Sequence, residues 1–236
     1  EPDTARLAEI FTELEFKSLL DKFVKKPKQQ QKVVNPQLDL FAENPTNDSV
    51  GAEFSSFESL KTTPHDYQLI ENEEEACKLF DFFVTKRILS LDTETTSINP
   101  VDAELVGLSF AVEEEKAFYV AIPAEREKAQ TIVNIFKPLY ESTEILKVGQ
   151  NIKYDMEVLM NYGVRMAAPM FDTMIAHYVL QPEQKHNMDI LAETLLGYQT
   201  VHIDELIGPK GKGQKNMRDL SPADICDYAA EDADVT

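Results

Sequence analysis

The chain has 236 residues, with 23 Lys and Arg against 42 Asp and Glu, for a formal net charge of −19 at pH 7. Hydrophobic residues make up 43%, enough for a buried core, while the acidity excludes a protein that grips nucleic acid by bulk positive charge; any such role must run through metal ions or a basic partner domain. Cys77 and Cys226 lie far apart without CxxC spacing, which excludes a disulfide scaffold and a zinc–cysteine site and fits a reducing cytoplasm.

The opening Glu1-Pro2-Asp3 has no Met and no signal-peptide pattern, and reads as part of something longer. Over residues 1–26, Leu7, Ile10, Phe11, Leu14, Leu19, Leu20 and Phe23 largely follow helical spacing after Asp3 or Thr4 as N-cap. This predicts a short amphipathic helix whose apolar face finds no partner in the residues that follow, the end of an upstream domain. Residues 27–65 change character: Gln29-Gln30-Gln31, Pro36, Asn44, Pro45, Asn47, Ser49 and Gly51 show no period, as in a disordered linker.

Residues 66–236 predict a compact α/β domain. Tyr67-Gln68-Leu69-Ile70 reads as a strand, then Asn72 caps a helix through Ala76, Leu79, Phe80 and Phe83 with an acidic first turn. Ile88-Leu89-Ser90-Leu91-Asp92, residues 105–112 and residues 117–122 are strand-like, the last two forming a hairpin across Glu113-Glu114-Glu115-Lys116. Helices are predicted at 125–136, 154–162, 173–180, 189–196 and 223–232, with a strand at 145–148. The longest nearly unbroken apolar stretch, 105–112, is interrupted by Gly107 and Ser109 and falls short of a membrane span, and no internal repeat occurs. Antiparallel strands followed by alternating helices and strands give a mixed sheet flanked by helices.

Three acidic segments carry chemistry. In Ser90-Leu91-Asp92-Thr93-Glu94-Thr95, residues two apart on a strand share a face, so Asp92 and Glu94 stand side by side. Inside a sheet they would repel and resist desolvation unless a cation held them; at a strand end in solvent they would mean nothing. In Gly149-Gln150-Asn151-Ile152-Lys153-Tyr154-Asp155 a strand gives way to a helix, with Asn151 a cap or turn residue and Asp155 in a first turn that the helix dipole favours anyway. In Asp227-Tyr228-Ala229-Ala230-Glu231-Asp232-Ala233-Asp234, Tyr228 and Asp232 share a helix face one turn apart, beside small residues that permit close packing; the alternative is a solvated acidic face.

Together these segments resemble the three exonuclease motifs of the DEDD superfamily, in its tyrosine branch. The wording is similar to the proofreading domain of bacterial family A DNA polymerase I, through Asp92-Thr93-Glu94-Thr95, 147–155, Phe171-Asp172-Thr173-Met174, Met188-Asp189-Ile190-Leu191-Ala192-Glu193 and 228–236. Glu13-Leu14-Glu15-Phe16-Lys17-Ser18-Leu19 is similar to the end of that family's 5′-nuclease domain. The resemblance implies a ribonuclease-H-like fold that removes nucleotides from a DNA 3′ end. By it, Asp92, Glu94 and Asp232 hold one divalent ion, Asp92 and Asp155 serve a second, and Tyr228 orients the attacking water. Oxygen ligands without His or Cys suit Mg²⁺ or Mn²⁺. The resemblance also puts Thr95 and Ile98 near the terminal nucleotide and Asn151 and Tyr154 near the penultimate one. Ile203 stands where an aromatic is expected to stack, and Lys185 where an Arg often reaches phosphate.

Other features are plainer. His65, His177, His186 and His202 lack ligand spacing, Cys226 reads as a packing residue, and Gly208-Pro209-Lys210-Gly211-Lys212-Gly213-Gln214-Lys215 is a basic loop for phosphate or for solvent. In the linker, Gln37-Leu38-Asp39-Leu40-Phe41 sets apolar residues where no core exists; it resembles the motif that docks on the replication sliding clamp, or is an accidental cluster. The expected partners are a DNA 3′ end and the polymerase and 5′-nuclease domains of the same chain, with no membrane and a monomeric state. The rival readings are an RNase D-like RNA exonuclease and a silent spacer that keeps the fold without the chemistry.

Overall fold

A computed structural model describes residues 3–13, 57–211 and 213–236. Helix α1, Thr4–Glu13, belongs to a unit of its own; the remainder of the 1–26 segment and the motif Gln37 to Phe41 lie outside the described residues.

In the second unit the elements are β1 (Glu58–Ser59), β2 (Asp66–Ile70), α2 (Glu73–Phe83), β3 (Ile88–Thr95), β4 (Leu105–Glu113), β5 (Lys116–Ala121), α3 (Arg126–Tyr140) and β6 (Leu146–Gly149). Next are α4 (Ile152–Met160), β7 (Met170–Asp172), α5 (Thr173–Leu180), α6 (Met188–Leu191, continuing as a π-turn through Leu196), β8 (Tyr198–Gln199), α7 (Ile203–Ile207) and α8 (Pro222–Val235), the last preceded by a 3₁₀ turn at Met217–Asp219. The main sheet has the order β2-β5-β4-β3-β6-β7, with β4 antiparallel to β3 and β5 and the other pairings parallel. This is the expected mixed sheet.

Local chemistry explains the elements. The Asn72 side chain accepts from the Glu75 amide and starts α2, and Ser221 with Pro222 at the first turn starts α8. Glu115 takes a left-handed φ of 62° to close the β4–β5 hairpin. Strand β4 is buried almost throughout, as a central strand must be. Against one face of the sheet pack α2 and α3, around Phe83, Phe110, Phe118, Phe136 and Tyr140; ring centroids of Phe110 and Phe136 lie 5.1 Å apart. On the other face lies α8.

Three expectations need correction. Glu58 and Ser59, expected within the linker, form a strand that pairs in parallel with Tyr198 and Gln199. Helix α3 runs past the expected end at residue 136 and carries Pro138 in its last turn. Strand β7 was not foreseen, since three residues, two of them exposed, carry no readable alternation.

Candidate active site

Strand β3 sits between β4 and β6 and presents Ser90, Asp92 and Glu94 toward α8. Its cross-strand partners on β4 are small: Ala111 faces Ser90, Ser109 faces Asp92 and Gly107 faces Glu94. A Cβ on Gly107 would stand 2.0 Å from the buried Tyr119 ring, so only glycine lets that ring lie there. Helix α8 brings equally small residues, with Ala229, Ala230 and Ala233 fully buried, and the Ser90 hydroxyl donates to the Ala233 carbonyl at 2.6 Å. Small residues on both sides let the helix approach closely enough for Asp232 to reach the strand.

The result is a cluster in which carboxylate oxygens of Asp92, Glu94 and Asp232 all lie within 4.8 Å of one another. Glu94 and Asp232 are each 6% exposed, and Asp92 keeps a partly open side. Asp155, in the first turn of α4 and also buried, stands outside that group of three: the Thr93 hydroxyl donates to its Oδ1 at 2.6 Å. The solvent-exposed alternative for these acids is thereby excluded.

Burial pushes the Asp92 carboxyl up to about 7, and it pushes Glu94, Asp155 and Asp232 well above the carboxylate range, with mutual repulsion adding to the rise. Tyr228 is half-buried and stands one turn from Asp232 on α8; burial and the surrounding acids raise its phenol far above the ordinary value. Among the described residues no ion pair reaches any of the four acids. Glu94 Oε1 and Ser109 Oγ are buried without a hydrogen-bond partner. Clustered oxygens, an orphaned carboxylate atom and no compensating cation are the donor set that a hard divalent ion fits.

The other expected residues separate into two groups. Thr95 and Tyr154 come together, their hydroxyls 2.5 Å apart, and Tyr154 also donates to the Ser97 carbonyl. This fixes the loop that carries Ile98, which is 97% exposed. Asn151 is a turn residue rather than a side-chain cap: it is left-handed at φ 59°, and its side chain caps nothing. Lys185 stands exposed between α5 and α6 without an ion pair, and Ile203 is exposed at the start of α7. In the basic loop Lys210 and Lys215 are exposed, and Lys212 lies outside the described residues. His177 and His186 pair with each other, Nδ1 to Nδ1 at 2.7 Å, away from any carboxylate, and Cys226 is buried in an apolar cluster with Ile225 and Ala229.

Some residues to which the sequence reading gave no role support the site. Asp172 accepts from the amides of Asn151 at 3.3 Å, Ile152 at 3.0 Å and Ile175 at 3.0 Å, so one carboxylate starts both α4 and α5 and delivers Asp155. The Asp-Thr junction at a helix start was the available signal. Glu231, part of the supposed solvated face, is fully buried.

A family model for the 3′-5′ exonuclease matches residues 67–236. DNA polymerase I of Pseudomonas aeruginosa is 33% identical over 250 residues, covering 100% of this chain and 24% of that protein. The chain thus spans about a quarter of the length of that curated relative. Among solved structures, Brucella melitensis NrnC with bound Mg²⁺ is similar with a TM-score of 0.52 at 21% identity, covering 73% of this chain and 76% of that one. Escherichia coli RNase D, an exoribonuclease involved in structured RNA processing, gives a TM-score of 0.54 at 19% identity, covering 72% and 42%. These likenesses show the fold alone, the ribonuclease-H-like mixed sheet flanked by helices.

Proposed function

The chain belongs to the 3′-5′ exonuclease domain family of DNA polymerase I, and on that premise we propose that it removes nucleotides from the 3′ end of a single-stranded or frayed DNA strand by hydrolysis, in the service of proofreading. The observation that carries the reading is the convergence of Asp92, Glu94 and Asp232 within 4.8 Å, with Glu94 and Asp232 buried and no basic side chain among the described residues paired with any of them.

Asp92, Glu94 and Asp232 would hold one divalent cation, Mg²⁺ or Mn²⁺, and Asp92 with Asp155 would support a second. When bound, such ions lower the pKa of water and stabilise charge on the departing 3′ oxygen. Tyr228 stays protonated across the physiological range, so its hydroxyl orients the attacking water as a neutral hydrogen-bonding group. Thr95, Ile98, Asn151 and Tyr154 would receive the last two nucleotides, with Ile203 and Lys185 as outer contacts on base and phosphate. Ile203 offers apolar packing but no ring to stack, and Lys185 a point charge in place of a planar fork.

The partners that go with this reading are the polymerase and 5′-nuclease domains of a longer chain, which would supply most of the DNA grip in a cytoplasmic, monomeric enzyme. A sliding clamp met through Gln37, Leu38, Asp39, Leu40 and Phe41 belongs to the same proposal. Among the described residues no helix is long and apolar enough to cross a membrane.

The test is to incubate the protein with a 3′-labelled DNA oligonucleotide and Mn²⁺ or Mg²⁺, beside Asp92→Ala, Asp232→Ala and an RNA of the same sequence. Release of labelled mononucleotide from DNA by the wild type, abolished in both variants, is the expected result. Equal release by all three proteins would remove the site assignment, and a preference for RNA would favour the RNase D-like alternative.

A further inference from the structure

Glu231 neighbours Asp232 on α8 yet has no part in the chemistry above, and none of its surface is exposed. A carboxylate buried this completely is costly unless its oxygens are taken up, and both are. The Tyr198 hydroxyl donates to Oε1 at 2.7 Å, and the Val201 amide donates to Oε2 at 2.7 Å. Both donors belong to residues 198–201, which are tied down again through the pairing of β8 with β1 and through the Thr200 hydroxyl donating to Asp189 at 2.9 Å. Two residues later α7 begins at Ile203, with no side-chain cap of its own. Its Leu206 and Ile207 pack on the apolar cluster that Tyr228 also joins. One carboxylate therefore links the helical turn that carries Asp232 to the segment that presents Ile203.

We propose that Glu231 is a positioning residue for the DNA 3′ end: by holding residues 198–203 against α8, it sets where the strand-end contact of Ile203 stands relative to Asp232. The proposal rests on the exonuclease reading. The acidic cluster itself does not depend on Glu231. Helix α8 is seated independently by its buried alanines, by Ser90 on the Ala233 carbonyl, and by Asp234, which accepts from the Tyr67 hydroxyl at 2.7 Å and the Glu115 amide at 2.9 Å. Loss of Glu231 thus displaces the substrate side and leaves the reacting groups in place.

Steady-state kinetics on a single-stranded DNA oligonucleotide test this with wild type, Glu231→Ala, Glu231→Gln and Tyr198→Phe. Glu231→Ala is expected to raise KM about tenfold with kcat within about twofold, the scale of one or two lost hydrogen bonds on the binding side. Tyr198→Phe raises KM less, and Glu231→Gln, which keeps an acceptor for the Val201 amide, rescues most of the effect. A purely structural role would lower kcat through a smaller active fraction with KM unchanged; that pattern, or unchanged kinetics in Glu231→Ala, overturns the proposal. Should Glu231→Ala fail to fold by circular dichroism, Tyr198→Phe decides by the same KM criterion. A wild type no more active than Asp92→Ala would overturn the exonuclease reading, and this proposal with it.

Discussion

Asp92 stands at the open side of the acidic cluster with its carboxyl pushed up to about 7, from an ordinary 3.8, by burial. Glu94, Asp155 and Asp232 shift in the same direction. Over that interval the folded protein holds protons that the unfolded chain has released, so the metal-free fold loses stability as pH rises from about 4 through about 7. The urea midpoint of metal-free protein should therefore fall between pH 5 and pH 8, and saturating Mn²⁺ should restore most at pH 8, where the carboxylates are free to bind it. A midpoint that rises over the same range without metal would contradict this. The pairing of Asp92 with Glu94 was legible from the two-residue period of a strand, but the burial that gives it force was not. That burial depends on β4 and α8 covering the strand. The acids of α8 show the same limit of local reading. Asp227 is exposed, Glu231 and Asp232 are buried, and Asp234 is half-buried, an assignment made by the sheet beneath the helix.

Helix α8 reaches its position because β3, β4 and the helix all contribute small residues along their contact, with Gly107 the tightest point. The Tyr119 ring beside Gly107 packs on Ile225, Cys226 and Ala229 of α8. Gly107→Ala should drive that ring toward the helix, costing about 1–3 kcal/mol in stability. It should also lower exonuclease turnover, because Tyr228 and Asp232 ride on the displaced turns. Denaturant unfolding and the oligonucleotide assay measure the two effects, and a variant with wild-type stability would show that the ring has room to move. The long, patterned elements were legible: α2 from Asn72 and its acidic turn, the β4–β5 hairpin from its acidic connection, and α5 from residue 173 to residue 180. Short elements were not. Tyr198–Gln199 is strand only because Glu58–Ser59 lies against it, and Met170–Asp172 only because β6 does.

The charge of −19 and the acidic site belong to one design. A protein this acidic repels a phosphate backbone, and the basic residues on the described surface, such as Arg87, Arg165, Lys185, Lys210 and Lys215, are scattered. Divalent cations at the carboxylate cluster would reverse the local sign where the strand end must enter, and the longer chains to which this one is related have room for a basic DNA-holding domain elsewhere. The acidic cluster was legible from the three motifs; the docking of residues 198–201 on Glu231 was not, since it joins positions about thirty apart through a fold that spacing does not reveal. The account turns on whether cations bind among these four acids. Crystals soaked in Mn²⁺ and measured for anomalous scattering test it directly. The expected result is anomalous density enclosed by Asp92, Glu94 and Asp232, about 2.2 Å from their oxygens, and absent in Asp232→Ala. An intact fold with Mn²⁺ only at outlying surface acids would contradict it.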